Sequence, residues 1–158
     1  PTRNLLGSTG FDDVWLYDVG SDRWFDVSGV PRPVARFGAS LAFDTSARKV
    51  VLFGGGSGGP RWCRPGPRCG LNAVGDLWQY DPRSNEWTSL DPASPPSARS
   101  GQTMAYDRNV NRIVMFGGVV LNGQVARLLG DTWLYDTAGD TWTEAAPADA
   151  PEPRHSHV

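Results

Sequence analysis

The chain has 158 residues, 39% of them hydrophobic and 20% charged, a balance that fits one ordinary globular domain and excludes a disordered chain. A formal net charge of −2 and a pI near 5.6 argue against a nucleic-acid or anionic-membrane partner, for which a basic face is expected. No apolar run approaches the length of a membrane span, so membrane insertion is not expected.

Taken in order, residues 1–35 carry short predicted strands at 4–6, 14–17 and 23–27, separated by Gly, Asp and Ser as turn formers. Residues 36–98 form one complete unit with strands at 39–44, 49–53, 77–80 and 86–89, and turns at Thr45-Ser46-Ala47-Arg48 and Pro82-Arg83-Ser84-Asn85. Residues 99–153 repeat the plan with strands at 103–107, 112–116, 132–135 and 141–144, the first turn being Arg108-Asn109-Val110-Asn111. Residues 154–158 begin another first strand. No helical periodicity supports an α/β alternative.

The units share motifs. Gly130-Asp131-Thr132-Trp133-Leu134-Tyr135-Asp136 leads to Trp142, Gly75-Asp76-Leu77-Trp78-Gln79-Tyr80-Asp81 leads to Trp87, and Asp12-Asp13-Val14-Trp15-Leu16-Tyr17-Asp18 leads to Trp24; each Tyr precedes its Trp by 7 residues. A second pair of elements recurs on the same period: Ala35-Arg36-Phe37-Gly38 runs on to Phe53-Gly54-Gly55, and Ala98-Arg99-Ser100-Gly101 runs on to Phe116-Gly117-Gly118. Leu6-Gly7-Ser8 is a worn copy of the diglycine strand, and Arg154-His155-Ser156 a copy of the Arg strand. Successive units lie 63 and then 55 residues apart, a period that points to propeller blades. A four-stranded twisted sheet cannot bury both its faces alone, so the blades must stack around an axis.

The order Arg-x-Gly, Phe-Gly-Gly, Gly-Asp-x-Trp-x-Tyr-Asp and then Trp resembles the kelch repeat, across nearly the whole chain. The resemblance implies an all-β fold, a kelch-type β-propeller segment of four-stranded antiparallel blades, with about three repeats. One of them is split between residues 1–35 and 154–158. Three blades are too few to close a ring, since propellers have about four to eight. The expectation is a segment completed by further blades of the same protein, or else a second copy making a homodimeric six-bladed ring.

Strand direction puts the loop after the second strand and the loop before the first on one face. That face gathers the predicted long loops 54–75 and 117–130, and one Arg per unit: Arg36, Arg99 and Arg154. Three guanidinium groups around a channel would suit carboxylate or phosphate groups through paired hydrogen bonds. The resemblance implies that an Arg at this place contacts an acidic peptide, and Arg36-Phe37-Gly38 and Arg99-Ser100-Gly101 match that pattern, making Ser100 a further contact candidate. The competing reading pairs each Arg with the Asp of its Gly-Asp-x-Trp, namely Asp76 and Asp131, with Asp13 in the degenerate copy. Within loop 54–75, Trp62 could stack on a sugar ring or a peptide side chain, and Cys63 and Cys69 read as a local disulfide that would staple a segment rich in Gly and Pro.

No catalytic residues are assigned. No Ser/His/Asp arrangement, phosphate loop or metal spacing stands out, so neither a metal nor a cofactor is expected, and the convergent Tyr, His and Cys of a galactose-oxidase-like copper centre are not supplied. His155 and His157 alternate along one strand and cannot jointly hold a metal from it. The reading is therefore a binding module, not an enzyme, recognising a protein, peptide or glycan on the Arg-bearing face. Two alternatives stand beside it: part of a carbohydrate-active enzyme or lectin, and a purely structural self-assembling ring. The Cys loop, and a cation set of fourteen Arg with Lys49 as the one Lys, suggest a bacterial secreted or cell-surface protein.

Overall fold

The computed structural model describes residues 12–57, 71–123 and 125–156, and every regular element among them is a strand. Strands β1 (Trp15–Asp18) and β2 (Arg23–Asp26) form a hairpin. Next come β3 (Ser40–Asp44), β4 (Lys49–Phe53), β5 (Gly56–Ser57), β6 (Leu71–Ala73), β7 (Leu77–Asp81) and β8 (Glu86–Leu90). The second half repeats the series with β9 (Thr103–Asp107), β10 (Arg112–Phe116), β11 (Val119–Gly123), β12 (Val125–Leu128), β13 (Thr132–Asp136) and β14 (Thr141–Ala145).

Two antiparallel four-stranded blades result, ordered β3-β4-β7-β8 and β9-β10-β13-β14, as the repeat leads one to expect. A third four-stranded sheet, ordered β12-β11-β6-β5, is built from the segments that the sequence presents as long loops. It joins the two blades, because β6 pairs with β11 at Asn72–Asn122. The predicted strand at 4–6 lies outside the described residues.

The seven-residue step from Tyr to Trp has a structural cause. In the blade β3-β4-β7-β8 Tyr80 lies directly opposite Trp87 across the β7–β8 pair. Between them, Asp81 accepts a hydrogen bond from the Arg83 amide at 2.8 Å, and the turn ends on Asn85 in the left-handed region, at a φ of 59°. The Tyr80 hydroxyl donates to Asn85 Oδ1 at 2.9 Å. Tyr135 donates to Asp140 in the same way at 2.7 Å, Tyr17 to Asp22 and Tyr106 to Asn111. Asn and Asp tolerate this backbone better than most residues, and the Tyr hydroxyl holds their side chains over the turn.

Blades join face to face. Ala42, Val51, Phe53 and Leu77 of one blade pack with Ile113, Met115, Tyr135 and Trp142 of the next. Val14 and Val27, which flank the β1–β2 hairpin, pack likewise on Leu52, Tyr80 and Trp87. Each Tyr–Trp pair of a complete blade is thus roofed by aliphatic side chains of the element before it. The Thr137 hydroxyl adds a hydrogen bond across the joint to the buried Asp44 carboxylate.

Candidate functional site

The Arg-bearing face is organised by the diglycines. The Gly55 amide donates to the Arg99 carbonyl at 2.8 Å, and the Gly118 amide to the Arg154 carbonyl at 2.8 Å. Each diglycine is therefore the seat for the Arg-bearing segment of the next unit. A Cβ on Gly54 would lie 2.6 Å from the Arg99 oxygen, at a φ of +69°, and one on Gly118 would lie 3.1 Å from the Ser100 oxygen. Only glycine permits that approach together with that backbone.

Arg99 lies in a closed pocket. Its Nε donates to the Ser97 carbonyl at 3.0 Å, Nη1 to the Gly117 carbonyl at 3.0 Å and to Asp131 Oδ1 at 2.7 Å, and Nη2 to Asp131 Oδ2 at 2.8 Å and Ser97 Oγ at 3.2 Å. All five N–H groups are used, and the side chain is 0% exposed. Arg36 is built alike, with Nε on the Val34 carbonyl at 3.0 Å, Nη1 on the Gly54 carbonyl at 2.9 Å and the fork on Asp76 at 2.5 and 2.8 Å. Two of the three Arg thus take the pairing with the repeat Asp and do not present open forks to solvent. The carboxylate is completed from its other side: the Trp78 indole donates to Asp76 Oδ2 at 2.7 Å, and the Trp133 indole to Asp131 Oδ2 at 2.7 Å.

Burial alone would raise the pKa of Asp76 and Asp131, but the hydrogen bonds from Arg and Trp and the Arg charge outweigh it. Both carboxyls are held below the usual range. The invariable Trp of Gly-Asp-x-Trp therefore does two jobs, packing between blades and anchoring the carboxylate that receives the Arg. Sequence spacing relates the Arg to the Asp, but nothing in it reveals the indole's role.

The remaining candidates fall elsewhere. Ser100 is buried and pairs through its backbone with Val119, its amide donating to that carbonyl at 2.9 Å. Arg154 is exposed, and of its guanidinium only Nε is engaged among the described residues, on the Glu152 carbonyl at 2.9 Å. His155 is exposed, with Nδ1 2.9 Å from Ser156 Oγ. Trp62, Cys63, Cys69 and His157 lie outside the described residues. A recess of about 190 Å³ lined by Pro31, Asn85 and Trp87 sits where the segment after β2 meets the β7–β8 turn.

Sequence reasoning missed the sheet that rises from this face. Among the described residues its outer strand β12 pairs only with β11, with Val119 opposite Leu128 and Asn122 opposite Val125. All four β12 residues, Val-Ala-Arg-Leu, are exposed. Just beyond, Leu129 is buried and its amide donates to the Gly118 carbonyl at 2.9 Å, tying the strand to the diglycine. Alternation of apolar and polar residues through 119–128 is weak, and the advance signal is the Asn122-Gly123 pair after Val119-Val120-Leu121, a turn dipeptide set between two apolar runs.

Four-stranded antiparallel blades stacked through Tyr–Trp hairpins, with paired Arg and Asp at the mouth, define a propeller-type repeat protein. Residues 5–158 match the family model described as the KLHDC2/KLHL20/DRC7 Kelch-repeats domain, and the chain belongs to that kelch-repeat family, whose domains typically serve as non-catalytic protein-interaction modules. The chain is also similar to proteins named multiple epidermal growth factor-like domains protein 8. It is 35% identical to the human protein over 139 residues, 32% to the rat protein over 140 and 31% to the mouse protein over 139. The alignments cover 85% of this chain and 4% of each relative. These relatives are mammalian and lend no support to a bacterial source.

Proposed function

We propose that this chain binds a protein partner on the face carrying the β5-β6-β11-β12 sheet, and that the bound segment is an extended, acidic stretch lying along β12. The observation that carries the reading is the state of β12. Among the described residues it is an edge strand with one neighbour, its residues are all exposed, and Val125 and Leu128 stand 68% and 47% open on either side of Arg127. An uncovered edge of this kind is a template for strand addition, in which backbone hydrogen bonds give affinity and alternating side chains give selectivity. Arg127 supplies a cation for a carboxylate of the added segment. The buried clamps of Arg36 and Arg99 keep the base of this sheet rigid, so the edge is held ready with little ordering cost.

Selection of peptides displayed against the 158-residue chain tests this reading. Acidic, extended sequences should be enriched, and Val125→Asp with Leu128→Asp should weaken their binding at least tenfold, about 1.4 kcal/mol, with an unchanged circular dichroism spectrum. Enriched peptides whose affinity ignores those substitutions and Arg127→Glu would sink the proposal.

A further inference from the structure

The links between units carry a repeat of their own. After β8 the link runs Pro92-Ala93-Ser94-Pro95-Pro96, and 55 residues later, after β14, it runs Pro147-Ala148-Asp149-Ala150-Pro151, with proline at the first and fifth places of both. The link after β2 falls 63 residues before the first of these, the spacing of Arg36 from Arg99, and reads Gly29-Val30-Pro31-Arg32-Pro33. Its fifth place keeps the proline, and Pro33 is buried as Pro96 is. Its first place is Gly29, where the other two links have a pyrrolidine ring.

The missing ring leaves a hole. Pro92 is buried next to the Ala93–Thr141 bridge, by which its link meets the start of β14. Glu86 is the counterpart of Thr141, and the recess of about 190 Å³ lies between Gly29 and the start of β8. The buried Trp87 forms its inner wall, while Val30, Pro31 and Glu86 around it are exposed, so the recess opens to solvent. The Glu86 carboxylate meets no cation among the described residues. The local backbone does not require the glycine, because Gly29 is not one of the residues with positive φ. A Cβ there would lie 3.4 Å from the Asn85 carbonyl oxygen, an ordinary contact across the recess.

We infer that this recess is a slot for one proline of an extended segment of a partner protein, with a Lys or Arg beside that proline facing Glu86. The partner supplies from outside the ring that Pro92 supplies from within the chain at the next joint. Proline-bearing segments are extended before they bind, so little order has to be imposed on them. The Trp87 indole offers the ring a broad apolar wall, and Glu86 selects a cation next to it. The inference goes beyond the β12 reading and stands apart from it: the two sites share no residue, and this one takes a basic segment where that one takes an acidic one.

Short labelled peptides with a central proline, each with a different residue type beside it, test this in fluorescence anisotropy against a matched set in which Ala replaces the proline. The 158-residue chain should bind the proline set at least tenfold more tightly than the Ala set, and most tightly where Lys or Arg adjoins the proline. Gly29→Ala places a methyl group in the slot without straining the backbone. It should weaken the proline peptides at least fivefold, with the thermal midpoint unchanged or raised. Glu86→Lys should move the preference from Lys and Arg to Asp and Glu, a switch that a change in stability alone does not produce. If Gly29→Ala lowers the thermal midpoint, the Glu86→Lys switch decides. Failure to bind the proline set, or equal binding of the two sets, overturns the inference. So does a stably folded Gly29→Ala chain that binds like the wild type, or a charge preference that Glu86→Lys leaves in place.

Discussion

Arg99 and Arg36 make the same clamp at different depths. Arg99 is 0% exposed opposite an Asp131 that is 24% exposed, whereas Arg36 is 6% exposed opposite an Asp76 that is 37% exposed. Removing one partner of a buried pair strands the other charge without water, at about 3 kcal/mol or more; at a more solvated pair, water and salt replace part of the loss. Arg99→Ala should therefore destabilise the fold by about 3 kcal/mol, and Arg36→Ala by less, about 1–2 kcal/mol, in urea titrations followed by Trp fluorescence. Equal losses would mean that the carboxylate's exposure does not govern the clamp. Both residues were legible in the sequence as a repeated Arg. The pairing with Asp76 and Asp131 stood there as one of two readings, and the structure selects it, because the choice between Asp and ligand depends on how near the diglycine carbonyls and the Asp come in three dimensions.

At the scale of an element, the diglycine is the joint between units. Gly54 has a positive φ, and its absent Cβ makes room for the Arg99 carbonyl. Gly54→Ala adds a strained backbone to a clash with main chain, which no rotamer can relieve; we expect a cost of about 3 kcal/mol, measured as a drop in the urea midpoint with an unchanged slope. The hairpins were readable to within a residue or two, because their turns are written in Asp, Asn and Pro and their strands alternate. The sheet of β5, β6, β11 and β12 was read as two loops. Its strands are short, and β6 pairs with β11 of the other unit, a partnership between segments some fifty residues apart that no local pattern announces.

For the whole molecule, the aspartates set the response to acid. Burial works against the charge on Asp44, Asp76 and Asp131. Yet hydrogen bonds from Thr137, Ser46 and Ala47, and from the two Arg–Trp sets, hold each carboxyl below its ordinary value. A group whose pKa is lower folded than unfolded contributes stability that is fully present above the unfolded value, near 4, and is lost as pH falls through the folded value. The melting temperature should thus be flat above about pH 5 and fall on acidification below about pH 4. Asp131→Asn should be less stable at neutral pH and show a shallower acid limb; an acid limb of unchanged steepness would remove Asp131 from that role.

The sequence by itself determined the repeat: the strand count of each blade, the turns, the Tyr and Trp that meet across them, and the kelch-type architecture. All of these follow from contacts between residues close along the chain, where spacing is nearly geometry. Only the tertiary structure decided which partner Arg36 and Arg99 take and that the long loops rise as a sheet with β12 at its edge. Those outcomes depend on carbonyls, indoles and carboxylates brought together from different blades, and a one-dimensional period carries no record of which blade faces which.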